Sequence, residues 1–180
     1  MFTIQATMNR YTVEDTFAVA DEGIKDIEAF LRSFSASLAI INVEKHETFQ
    51  KKDVDLLWVY LENGVEKMKR IEAKIDRYKS GNFFFETVSN ENKGTPGCFL
   101  YTEADYLFYY FLEWKSLFVL PVKEIQTWFS ANEHRFKEKT LATAVGKDYY
   151  TSKGKVVPIK TVLRECKFVK RHSLIEFAAR

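Results

Sequence analysis

Hydrophobic positions recur along the chain with two different periods, and the change between them marks out the elements. Ile24, Ile27, Leu31 and Phe34 fall at helical spacing with Asp21, Glu22, Lys25, Asp26 and Glu28 between them. The spacing predicts an amphipathic helix from about residue 13 or 21 to residue 34, with an acidic start that suits a helix N-terminus. Apolar runs at residues 38–43 and 54–61 have strand length and are rich in β-branched or aromatic residues, and Glu62-Asn63-Gly64 supplies a turn after the second. From Arg70 to Asp76 the alternation is strict: Arg70, Glu72, Lys74 and Asp76 share one face, and Ile71, Ala73 and Ile75 share the other. This strand is expected to bury its apolar face and present its charged one.

Further along, residues 82–88 read as a strand, residues 89–97 as a polar loop and Thr102 to Asp105 as a short helical turn. Two aromatic strands follow, residues 106–112 and 117–120, whose rings, like Phe83 to Phe85, are expected in the core. Pro121 then opens a helix through Ile125, Trp128 and Phe129. Residues 156–159 read as extended, and residues 162–168 fit helix and strand equally. There is no internal repeat, low-complexity segment or linker. The order helix, several strands, helix is that of an α/β domain with a mixed sheet.

Composition narrows the class. A chain of 180 residues with 46% hydrophobic content has the size and apolar fraction of one globular domain. No apolar stretch approaches the roughly 20 residues of a membrane span, and the first residues lack the basic start and apolar segment of a secretory signal, so a cytoplasmic location is expected. Cys98 and Cys166 are too few for a disulfide framework and have no zinc-site spacing, so both are read as free, buried thiols. His46, His134 and His172 are scattered, with no neighbour that makes a triad or a zinc site.

The net charge of +2 conceals a polarity. Residues 1–132 carry 15 basic and 20 acidic side chains, and residues 133–180 carry 12 basic and 5 acidic. The chain therefore reads as an α/β core over 1–132 and a basic C-terminal extension over 133–180 packed on the same domain. Lys153, Lys155, Lys160, Arg164, Lys167, Lys170 and Arg171 can attract a phosphate backbone, against the simpler reading of a solvated surface.

The charged face of the 70–76 strand carries the most chemistry. Glu72 and Lys74 emerge on the same side of the strand, and Asp55 lies seventeen residues before Glu72, near the start of another strand. If the two strands pair through the turn at 62–64, Asp55 and Glu72 converge with Lys74 beside them. Hard carboxylate oxygens in that arrangement suit Mg²⁺, which can stabilise charge on a phosphodiester and acidify an attacking water, with a lysine to orient that water. Glu-x-Lys occurs four times, at Glu72/Lys74, Glu91/Lys93, Glu113/Lys115 and Glu165/Lys167. Only the first has both halves on plausible strands; the last, preceded at the same interval by Asp148, is interrupted by Pro158.

Asp55-(x16)-Glu72-Ala73-Lys74 after an acidic helix resembles the core of the PD-(D/E)XK nuclease superfamily. The resemblance continues through Asp76-Arg77, Ser80-Gly81-Asn82 with Phe83 to Glu86, Thr95-Pro96-Gly97 and Ala104-Asp105-Tyr106, a succession similar to a subgroup of phage-type and uncharacterised bacterial proteins. It spans about residues 14–130. Val54 stands where the family name has proline, and Asp53 competes with Asp55 for the aspartate position.

The resemblance implies a restriction-endonuclease-like fold, a central mixed β-sheet flanked by helices. It also implies a Mg²⁺-dependent endonuclease acting on DNA, with Mn²⁺ as a substitute ion. Asp55 and Glu72 would be metal ligands, Glu22 or Glu28 would complete the site, and Lys74 would position the water. Gln50, Arg77, Lys79, Lys153, Lys155, Lys167, Lys170 and Arg171 are the candidates for nucleic-acid contact. Glu86 and Asp105 can reach metal-bound water or nucleic acid, but fit a strand edge and a helix start better. The alternative is a non-catalytic nucleic-acid-binding or assembly protein that keeps the fold, and the aromatic strands also suit a homodimer or a partner protein for targeting.

Overall fold

A computed structural model describes residues 13–145 and 148–177. The elements run in the order α1 (Val13–Arg32), β1 (Ser37–Asn42), α2 (Glu47–Gln50), β2 (Leu56–Glu62), β3 (Val65–Asp76), β4 (Asn82–Asn90), β5 (Thr95–Pro96), α3 (Cys98–Tyr101), β6 (Tyr106–Phe111), β7 (Ser116–Pro121), α4 (Val122–Asn132), β8 (Lys137–Val145), β9 (Asp148–Pro158), α5 (Ile159–Glu165) and β10 (Lys170–Ser173). They form a mixed six-stranded sheet, β1-β2-β3-β6-β7-β10, and a four-stranded sheet, β5-β4-β9-β8. In the larger sheet only β3 and β6 run parallel. Among the described residues no helix is long and apolar enough to cross a membrane.

β6 shows how the layers are held. Phe108 and Tyr110 join Ile24, Ile27, Phe30 and Leu31 of α1 and Ile71 of β3 in one core, whereas Leu107, Tyr109 and Phe111 join Phe83 and Phe85 of β4, Phe99 of α3 and Val157 of β9 in another. The aromatic run is therefore buried on both faces, as a central strand requires. α1 covers one side of the six-stranded sheet, and the smaller sheet with α3 covers the other.

This layering changes the meaning of the charged face of β3. Glu72 is parallel-paired with Leu107 and Lys74 with Tyr109, so both project toward the second core and not into water. Glu72 is only 9% exposed. The alternation was legible, but the layer above the charges was not.

Three other differences have local causes. The helical turn expected at 102–105 forms one step earlier, as α3, because Thr102 Oγ1 donates to Asp53 O (2.8 Å) and the Ala104 amide donates to Thr102 Oγ1 (3.1 Å), holding that stretch extended against the 51–55 loop. The 89–97 loop contains two residues that pair back onto β4. Residues 133–177 are continuous with both sheets: β9 pairs with β4, and β10 adds to β7. Lys147 and Arg180 of the tail lie outside the described residues.

α3 is fastened to β4 by a close backbone approach. The Gly97 amide donates to Thr87 O (2.9 Å), and a Cβ at Gly97 would fall 2.1 Å from Glu86 O. Gly97→Ala must push α3 away from the strand. It is expected to cost about 1–3 kcal/mol, as overpacking does, read as a lowered urea midpoint for unfolding.

Candidate metal centre

The site is built where the 51–55 loop, β3, β4 and α3 meet. Asp55 enters it because its backbone already belongs to the sheet edge: its amide donates to Ile71 O (2.9 Å) and its carbonyl accepts from the Val43 amide (2.7 Å). Asp55 Oδ2 then accepts from the Ala73 amide (2.8 Å), which fixes the carboxylate beside Glu72. The Asp55 and Glu72 carboxyl groups lie close enough to perturb one another's acidity. Two carboxyls so placed need a proton or a cation between them.

Asp53 reaches the same place by an uncommon backbone. Its φ is +54°, in the left-handed region that Asp tolerates better than most residues. Asp53 Oδ2 and Glu72 Oε2 are both buried without a hydrogen-bond partner. Buried polar atoms are nearly always satisfied, and hard carboxylate oxygens in this state are what a divalent cation takes up. The donor set therefore fits a metal ion on the structure's own terms.

Electrostatics tell the same story. Burial, then Asp55, pushes the Asp53 carboxyl up to about 6, with Lys74 opposing. Burial, then Asp55 and Asp53, holds Glu72 well above the usual carboxylate range. Burial also raises Asp55, against the Ala73 amide, Glu72 and Lys74. Burial disfavours the charge on Lys74, yet Cys98, Glu86, Glu72 and Asp53 outweigh it and raise the ammonium's pKa. Lys74 is thus a cation held among acids. Perturbed groups gathered in one enclosed place are the usual mark of a working site.

The walls are apolar and rigid. Phe85 stacks on Phe99 at 4.1 Å between ring centroids, and Tyr109 meets Phe83 edge to face at 5.0 Å. Tyr109 also ties three strands together: its hydroxyl donates to Asp76 Oδ2 (3.1 Å) and accepts from the Phe84 amide (3.1 Å). Glu72, Lys74, Glu86, Cys98, Thr102 and Tyr109 line a small cavity there, about 20 Å³ in volume.

The expected helix acids are elsewhere. Glu22 pairs with Lys115 (3.0 Å) and Glu28 with Arg32 (3.0 Å), on the helix that packs against the opposite face of the sheet. Asp26 of the same helix is buried and accepts from Tyr110 and Lys115. Among the described side chains of α1, Asp21 lines an open cleft with Asn42, Glu44, Lys45 and His46. Glu44 is raised by burial, then by Asp55 and Asp21, so this cleft adjoins the carboxylate cluster. Asp105 is taken by Arg70, whose amide donates to it at 2.8 Å.

The nucleic-acid candidates divide by location. Gln50 is exposed at the end of α2, where its carbonyl accepts from the Asp53 amide (3.2 Å). Lys153 and Lys155 flank Gly154, which faces Glu86 across the β4–β9 ladder; they pair with Glu91 and Glu138. Arg77 and Lys79 follow β3 directly, and Lys79 pairs with Glu113 (2.9 Å). Lys170 and Arg171 lie on β10, with β6 and β7 between them and β3, a separation of about 14 Å at ordinary strand spacing. Arg171 donates to Ser116 Oγ (3.0 Å), and Lys167 to Leu163 O (3.3 Å). The other Glu-x-Lys copies are likewise spent in surface pairs: Glu91 with Lys153, Glu113 with Lys79 and Glu165 with Arg135 and Arg164.

Asp53 was visible in the sequence as a rival of Asp55; the structure brings both to Glu72. Asp21, Glu44 and Cys98 were not singled out as site residues, and no spacing in the sequence points to them. Comparison with known protein families, with curated proteins and with solved structures finds no match to this chain.

Proposed function

We propose that the chain is a divalent-metal-dependent endonuclease of the PD-(D/E)XK kind, with a restriction-endonuclease-like fold, that hydrolyses DNA phosphodiester bonds. The observation that carries this is the burial of Asp55, Glu72 and Lys74 together, two carboxyls that perturb one another and a lysine among acids, with buried oxygens of Glu72 and Asp53 left unpartnered. Charged groups are kept in such surroundings at a cost in stability, and a surface role does not account for it. An antiparallel β1-β2-β3 meander followed by a parallel strand after a crossover also supports the fold assignment.

A bound Mg²⁺ or Mn²⁺ supplies charge neutralisation on the phosphodiester and acidifies a water. Asp55 and Glu72 hold the ion, and the Ala73 amide keeps the Asp55 carboxylate from rotating away. Lys74 is a hydrogen-bond donor and not a base, because its acidic neighbours keep it protonated; it orients the attacking water or offsets charge developing at the phosphate. Phe84, Phe85 and Phe99 exclude bulk water from the inner side and so strengthen each of these interactions. Lys153 and Lys155 flank the residue that faces Glu86 across the ladder and are tail cations that can follow a phosphate backbone.

Incubating the purified protein with plasmid and linear DNA in Mg²⁺, Mn²⁺ or EDTA tests the proposal. Cleavage is expected with either ion and not with EDTA. Absence of cleavage in every condition, alongside salt-sensitive DNA binding that survives Asp55→Asn, points instead to a non-catalytic binding protein.

A further inference from the structure

Cys98 and Cys166 are both sheltered, but they stand in different company. Cys166 is completely buried within an apolar cluster that includes Val162 and Val169. Cys98 belongs to neither apolar core; it begins α3 and lines the small cavity with Glu72, Lys74, Glu86, Thr102 and Tyr109. The Cys98 sulfur and carboxylate oxygens of Asp53 and Glu72 all lie within 4.8 Å of one another.

That spacing is close to what a shared ion needs. Metal–sulfur bonds near 2.3 Å and metal–oxygen bonds near 2.1 Å set two ligands of one ion no more than about 4.4 Å apart, which a small side-chain rotation reaches. The cavity of about 20 Å³ exceeds the roughly 10–15 Å³ that one water-sized occupant needs. A second observation, independent of the cluster, points into the same space: Glu72 is nine-tenths buried and its Oε2 has no partner. Gly97 and its backbone approach to Glu86 keep the residue next to it in place.

We infer that Cys98 is a ligand of the cation site together with Asp53 and Glu72, so that the centre takes a borderline transition-metal ion such as Co²⁺ or Zn²⁺ in preference to Mg²⁺. The inference rests on the proposed metal-dependent reading of the same site and revises its ion. Magnesium prefers an all-oxygen shell, whereas a sulfur donor moves selectivity toward softer ions. On binding, the Cys98 S–H proton is released to solvent and a metal–sulfur bond forms, with no change of oxidation state. Lys74, cationic and alongside, offsets the charge of the bound thiolate.

Titrating the full-length protein with Cd²⁺ and with Co²⁺, followed by ultraviolet and visible absorption, reads sulfur ligation directly. A sulfur-to-metal charge-transfer band saturating at one ion per chain is expected in the wild type and in Cys166→Ala, and is expected to be absent in Cys98→Ser and Cys98→Ala. Losing the ligand should weaken Cd²⁺ binding by about ten-fold or more while Mg²⁺ affinity changes by less than about two-fold. Circular dichroism confirms that the variants are folded, and Cys98→Ser, which keeps size and polarity, serves if Cys98→Ala does not fold. Binding without the band, or a band that persists in both Cys98 variants, overturns the sulfur ligand and leaves the nuclease proposal standing. Failure to bind Cd²⁺, Co²⁺ or Mg²⁺ removes both.

Discussion

Glu72→Gln is expected to abolish cleavage without weakening the metal-free fold, and Lys74→Met to abolish cleavage while weakening it. In the metal-free protein the Glu72 carboxyl is held above its ordinary range by burial and by Asp55 and Asp53, so its charged form is disfavoured there. A glutamine amide keeps its shape and removes the repulsion, and the unfolding midpoint should stay level or rise. Lys74 is the cation that Asp53, Asp55 and Glu72 all feel. Removing it leaves buried carboxyls uncompensated, which for a broken buried pair costs about 3 kcal/mol or more. Both variants lose a group that meets charge developing in the reaction, and a fall of about 10²–10³-fold in cleavage rate is expected for each. Urea unfolding in EDTA, run beside a plasmid-nicking assay, separates the two effects. A strong loss of stability in Glu72→Gln would show that the carboxylate serves the fold and not a cation.

Opposite effects on stability with the same effect on activity are what a site under internal strain produces. Asp53 in the left-handed region adds to that strain, at a cost on the order of 1 kcal/mol. Two buried acids without hydrogen-bond partners add more. Proteins keep such features where function demands them and make up the loss elsewhere. Here the compensation is visible in the double-faced burial of β6 and in the packed rings of Phe83, Phe85, Phe99 and Tyr109.

The parts of this architecture that a single chain segment encodes were legible in the sequence. α1 and the β2–β3 hairpin follow from helical spacing, strict alternation and the Asn63-Gly64 turn, where both residues have positive φ. Asp55, Glu72 and Lys74 came with them, because a hairpin of known register fixes which residues face one another. The β8–β9 hairpin was not legible. Lys137, Glu138, Lys139 and Thr140 are all exposed, so this half of β8 shows no apolar alternation, and pairing with β9 alone holds it in place. The site's outer members were hidden for a related reason. Glu86 and Cys98 reach Lys74 only because the crossover between the parallel strands β3 and β6 folds back over the sheet, and no local pattern announces that contact. The same crossover explains why an alternating charged face, ordinarily a solvated surface, is an interior here.

Because its acids are raised, the metal-free protein is expected to lose stability as pH rises from about 4.5 through 6, and a bound divalent ion is expected to flatten that slope. In the folded chain Asp53 holds its proton up to about 6, where an unfolded aspartate has released it near 3.8. The folded state therefore carries the extra proton across that window, and the linkage relation makes stability fall with increasing pH. The contribution is complete below about 3.8 and is lost as pH passes 6; for Asp53 it is about 2 kcal/mol after allowance for partial exposure. Glu72, raised in the same direction by burial and by its two acidic neighbours, adds to the decline. Surface carboxylates act oppositely at the acid end: Arg135 and Arg164 hold Glu165 down to about 2, and Arg70 contributes to lowering Asp105, so stability also falls as these groups are protonated. The metal-free optimum should lie at about pH 4.5, where the Glu165 contribution is complete and most of the Asp53 contribution remains. A cation that binds only the ionised carboxyls of the folded state stabilises by mass action, by about 2.7 kcal/mol at one hundred times its dissociation constant, and most strongly where those carboxyls are deprotonated. Melting temperatures measured every half pH unit in EDTA and in saturating Mn²⁺ should therefore diverge as pH rises, with the gap closing near pH 4. Curves that remain parallel across the range would mean that no ion binds at Asp53, Asp55 and Glu72.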